Sequence, residues 1–102
     1  TGFWVKDHAW YARLFEDEVF LQKVKDRFLY FKENENFILE KMDYYADLLK
    51  YSQYENDQKW DLFGRYVWPN PVVYDTHQAE VDHLKMWFKE RMNWLDAAYK
   101  EL

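Results

Sequence analysis

Cysteine is absent, so the sequence can build neither a disulfide framework nor a thiolate metal site, and redox usage says nothing of compartment. Glycine and proline are scarce, with two of each. Gly2 and Gly64 alone cannot form a glycine-rich phosphate cradle, which excludes a self-contained nucleotide site of the usual kinds. Serine is scarcer still. Ser52 stands alone, and none of His8, His77 and His83 sits in a recognisable nucleophile turn, so nucleophilic catalysis has almost no material to work with. Long apolar runs are also missing. The longest stretch free of charged residues, Tyr66 to Tyr74, falls far short of the about 20 apolar residues that a membrane span needs, and it holds both prolines. Positive charge is in deficit: 14 Lys and Arg against 19 Asp and Glu leave a formal net charge of −5, which disfavours nucleic acid as a partner.

What the sequence does have is aromatic bulk. Aromatic residues make up 23% of a 102-residue chain and hydrophobic residues 49%, the composition of an ordered, aromatic-packed helical core rather than a linker. The length allows one domain over residues 1–102. The chain opens Thr1-Gly2 instead of with Met, and the expectation is a subdomain belonging to the C-terminus of a larger protein.

Apolar periodicity assigns the helices. A short first helix is predicted after Asp7 as N-cap, carrying Trp10, Tyr11, Leu14 and Phe15 and stopping near Glu16. Asp17 caps a second, whose Phe20, Val24, Phe28 and Phe31 recur every three or four residues. After the polar run Glu33 to Asn36, a third helix places Ile38, Met42, Tyr45 and Leu49 on one face and is predicted to run to Phe63, ending at Gly64. Trp68-Pro69-Asn70-Pro71 forces a turning or extended segment. The last helix starts at Asp75 or Thr76, with Val81, Leu84, Phe88, Arg91, Leu95, Ala98 and Leu102 in register. The fold class is therefore all-α: a small bundle of three main helices with a short N-terminal helix, and more than about half of the residues helical.

Three groups of residues invite a functional reading. Glu80 and His83 stand at the Glu-x-x-His spacing of di-iron bundles, but no second such pair exists, and the reading is surface polar residues on an amphipathic helix. Arg91 shares a helix stripe with Phe88 and Leu95, and Arg27 sits beside Val24 and Phe31. A guanidinium there needs a carboxylate or carbonyl partner, and both arginines are read as members of structural ion pairs. Phe3, Trp4 and Trp10, with Tyr66, Val67 and Trp68, lie off the core stripes and form the expected interaction surface. An aromatic loop of this kind can also stack on sugar rings or dock a peptide. An autonomous interaction or carbohydrate-binding module using the Trp68 loop is thus the alternative reading.

Several of these residues together resemble one family. Phe3-Trp4-Val5, Trp10-Tyr11, Arg13-Leu14-Phe15, Val24, Arg27-Phe28, Ser52-Gln53, Asn56, Trp60, Arg91 and Trp94-Leu95-Asp96 are similar to the C-terminal helical region of the spore coat protein H-like (CotH) kinases. The likeness runs over nearly the whole chain. It implies a bacterial parent that binds ATP and Mg, and a cell-envelope or exported location. It also implies an upstream kinase-like lobe as partner, which this chain would complete and stabilise. The family's catalytic and metal-binding aspartates lie upstream of the region, and no position here matches them. Lys59-Trp60-Asp61-Leu62 superficially resembles a Trp-Asp-Leu-Asp metal motif, but Phe63 stands where the second aspartate would be, and the segment reads as a helix end. No catalytic, cofactor-binding or metal residue is therefore assigned, and the chain by itself is not expected to be an enzyme. With the lobe removed, a homodimer of the chain is expected. Calorimetric titration of the chain with ATP and Mg, or with zinc or iron, is expected to give no saturable binding tighter than about millimolar, and a micromolar isotherm would refute this reading.

Overall fold

The computed structural model describes residues 2–102. It is 74% helical and contains no strand among the described residues. A single 3-10 turn, Trp4–Asp7, precedes five α-helices: α1 (Ala9–Leu14), α2 (Glu18–Glu33), α3 (Glu35–Leu48), α4 (Lys50–Trp60) and α5 (His77–Lys100). These form two compact units. One comprises Thr1–Glu35 with Glu90–Leu102, and the other comprises Asn36–Lys89.

Local chemistry explains most boundaries. The Asp17 carboxylate accepts the Phe20 N–H at 2.8 Å, satisfying a backbone donor that the first turn of α2 leaves free. Thr76 does the same for α5, its hydroxyl accepting from the Ala79 N–H at 3.1 Å. Asp7 does not cap the first helix. It closes the 3-10 turn instead, and His8, extended at φ −70° and ψ 136°, resets the chain before α1. Phe15 consequently falls just beyond α1, with its N–H bonded to the Arg13 and Tyr11 carbonyls.

The expected third helix is two. At Leu49 ψ opens to 2°, well away from the helical value near −42°, and separates α3 from α4. The break is confined to that residue, because Leu49 N–H still reaches the Tyr45 carbonyl at 3.0 Å and Gln53 N–H the Leu49 carbonyl at 2.8 Å. Nor does α4 reach Phe63. It ends at Trp60, where Asp61 turns left-handed with φ 50°. Asp57 makes that early stop favourable: its Oδ1 accepts both Leu62 N–H at 2.7 Å and Phe63 N–H at 2.9 Å, so these groups need no helical carbonyl. Gly64 then takes a second positive φ of 78°.

In the first unit, the core is aromatic. Phe28 of α2 is buried and stacks on Tyr99 of α5 with centroids 4.4 Å apart. Phe3 meets the same Tyr99 ring edge-on at 4.9 Å, and Phe15 bridges Phe3 at 6.2 Å and Phe20 at 5.5 Å. Met92 completes the buried set there. In the second unit the buried residue is Leu39, one position along from the expected Ile38 stripe. The inward face of α3 is Ile38, Leu39, Met42 and Ala46, while Tyr45 and Leu49 are exposed. Phe31 and Leu84, both placed on core stripes from their spacing, are likewise exposed. Replacing Phe28 with Ala is expected to cost about 3 kcal/mol or more, read as a lower urea midpoint, because the cavity would remove the stacking partner of Tyr99. Phe37→Ala, at an exposed position of α3, is expected to change stability by no more than about 0.5 kcal/mol.

Candidate functional site

In the first unit, Arg91 of α5 donates through Nη2 to the Gly2 carbonyl at 2.7 Å and lies over the Trp94 ring at 4.6 Å. Arg27 of α2 lies over Tyr30 at 4.8 Å and Phe31 at 5.5 Å. Among the described residues, the ion pairs are formed by other side chains, such as Arg13 with Glu16 and Lys32 with Glu35 at 3.0 Å. Both arginines are thus held by a carbonyl or by ring faces in place of a carboxylate. This suits a guanidinium, which is weakly hydrated and planar and can stack as well as donate. Lys25 adds a further tie, its Nζ reaching the Leu102 carbonyl at 3.0 Å.

The expected interaction residues divide between the units. Phe3 is drawn into the Tyr99 cluster, whereas Trp4 and Trp10 stand 78% and 79% exposed in the same unit. In the other unit Trp68 is 80% exposed and Tyr66 64%, with Val67 half-buried beside them. The Trp68–Pro69 peptide is cis, and Asn70 N–H bonds back to the Val67 carbonyl at 2.9 Å to close the turn.

A cleft of about 430 Å³ lies where this loop meets the start of α5. One wall is a face of α5 built from His77, Glu80, Val81, His83, Leu84 and Trp87. The other is the loop segment Asn70, Pro71 and Val72. The loop is held at its return by backbone and side chain together. Gly64 N–H donates to the Tyr74 carbonyl at 2.9 Å, and Tyr74 N–H donates to Glu80 Oε1 at 3.2 Å. The Tyr74 hydroxyl and His83 Nδ1 lie 3.3 Å apart. Glu80 and His83 therefore share one neighbour and fasten the loop. No group of three or more His, Cys, Asp or Glu able to hold a metal occurs among the described residues. A second hollow, about 550 Å³, is lined by polar groups of α3, α4 and the α5 start, and Lys50 and Asp47 pair across 3.5 Å at its rim.

Spacing alone marks Glu80 and His83 but not the cleft they line. Its polar corner depends on Tyr74 returning to α5, and Tyr74 lies in a segment without periodicity. The signals that existed were Asp57 and Gly64, residue types that favour a helix stop and a positive φ, and they bear on the loop's entry alone. Compared with known proteins, the chain matches no family model, no curated protein and no solved structure.

Tyr99 has an altered acidity. Burial pushes its phenol above the usual 10.0, and the Arg91 guanidinium pulls weakly the other way. The folded state thus holds the proton more tightly than the unfolded chain does. Stability is fully present below the unfolded value of about 10 and is lost as pH rises from there through the folded pKa. Urea unfolding at about pH 9 and about pH 11 should show that decline, and Tyr99→Phe should lessen it while leaving neutral-pH stability nearly unchanged. An equal decline in the variant would assign the effect to other tyrosines.

Proposed function

We propose that this chain is a non-catalytic helical subdomain of a larger kinase-like protein of the CotH type, where it completes and braces the catalytic lobe. The observation that carries this reading is the imbalance of burial: Phe28, Leu39 and Met92 are buried, while Trp4, Trp10, Trp60, Trp68 and Trp87 are all exposed. A tryptophan side chain buries roughly 150–250 Å² when covered, worth about 4–6 kcal/mol of transfer free energy at about 25 cal/mol per Å². A chain that leaves that much unused is built to meet another surface. ATP and Mg would belong to the parent's upstream lobe, and the resemblance gives a bacterial, exported or cell-envelope setting.

The exposure of Tyr66 and Trp68 at the cis-proline turn also supports the alternative, an autonomous interaction or carbohydrate-binding module. Association separates the two. Light scattering at tens of micromolar is expected to return a dimer mass for the isolated chain, with more than about 1,000 Å² buried in total. Trp4→Ser with Trp10→Ser is expected to restore the monomer, and a longer polypeptide carrying the upstream lobe should compete with dimer formation. A clean monomer at that concentration would count against an orphaned docking face and favour the autonomous module.

A further inference from the structure

We propose that the cleft between the Asn70–Val72 segment and α5 binds a small organic cation of the arylalkylamine class, with its ammonium at Glu80 and its ring against Trp87. Three observations converge on that chemistry. The cleft has the size of a small-molecule site, about 430 Å³. Its lining contains a single carboxylate, Glu80, and neither lysine nor arginine. Glu80 is half-buried and spends one oxygen on the Tyr74 N–H, yet it takes part in no ion pair among the described residues. The nearest lysine on the same helix, Lys85, is committed to Asp43 at 2.7 Å.

The spacing along α5 sets the ligand's length. Glu80 and Trp87 are seven residues apart, two turns on one side of the helix, or about 10 Å along its axis. Val81 and Leu84 lie between them and offer an apolar track. A cation at one end and a ring at the other, joined by a short alkyl chain, matches this order of charge, aliphatic floor and indole. An anion is disfavoured because Glu80 would repel it and neither lysine nor arginine lines the wall to offset that repulsion. The inference goes beyond the subdomain reading and does not depend on it, since every residue involved lies within the Asn36–Lys89 unit.

Tryptamine is a suitable probe, compared with 3-ethylindole as the neutral analogue and indole-3-propionate as the anionic one. Two-dimensional NMR of the isotopically labelled full chain is expected to show tryptamine saturating amide shifts in residues 70–72 and 77–87. The anionic analogue should bind at least about tenfold more weakly, the effect expected of a charge-assisted hydrogen bond. Glu80→Gln is expected to lower tryptamine affinity by about tenfold and leave 3-ethylindole unchanged. Glutamine retains an oxygen to accept the Tyr74 N–H, so the loop should stay in place and its amide spectrum should report as much. Trp87→Ala should weaken both indoles. Equal affinity for all three probes, shifts mapping elsewhere, or an unchanged Glu80→Gln variant would each overturn the assignment. So would a neutral oligosaccharide saturating the same amides where tryptamine does not.

Discussion

The Tyr99 ring carries the first unit. Phe28 stacks on one side of it, Phe3 meets it edge-on, and Arg91 from the same helix anchors the backbone next to Phe3. Through these contacts the ring joins α2 and the N-terminal segment to α5. Packing of this kind is worth more than area alone, because offset and edge-to-face rings add about 0.5–1.5 kcal/mol per pair. It also explains why Tyr99 resists ionisation: a phenolate there would lose water without gaining a full counter-ion. The small buried set makes this cluster matter more than it would in a larger core, where the loss of one ring is shared among many neighbours.

The second unit is held by a different device. Around residues 57–83 backbone N–H groups donate to isolated polar side chains, those of Asp57, Thr76 and Glu80. Each satisfies a backbone donor in the loop or in the first turn of α5, and together they shape a loop that would otherwise have little to define it. Apolar burial contributes Leu39 and the half-buried Phe63, whose ring lies 6.4 Å from His77. The cleft is a consequence of this arrangement. A loop fixed by its ends rather than by filling its underside leaves space against α5.

Helix positions were legible because they rest on local chemistry. Asp17 and Thr76 cap where short polar residues precede an apolar rhythm, and the proline pair marks the long loop. Helix faces were less so. Spacing alone placed Tyr45, Leu49, Phe31 and Leu84 inward, yet all four are exposed, while Leu39 and Met92 are buried. With hydrophobic residues at 49%, apolar side chains fall on more than one stripe of each helix, and periodicity no longer selects a side. The Leu49 break had no composition signal, since neither glycine nor proline is near it. The cleft was illegible for the same reason as any tertiary feature: Tyr74, Glu80 and His83 meet through space, and nothing in their spacing announces the loop's return.

The two units differ in how they are strung along the chain, and this constrains their order of assembly. Asn36–Lys89 is continuous, so a ribosome delivers all of it before residue 90 is added. The other unit is split, its halves meeting through Phe3 and Tyr99, which are nearly the whole chain apart. Closing a loop of that size costs entropy that the local helices never face, and the closure must wait until the last helix has been synthesised. During translation, the N-terminal aromatics therefore spend the longest time without their partner ring. Phe3 and Phe28, the two rings that pack on Tyr99, are exposed on the nascent chain long before that ring is made.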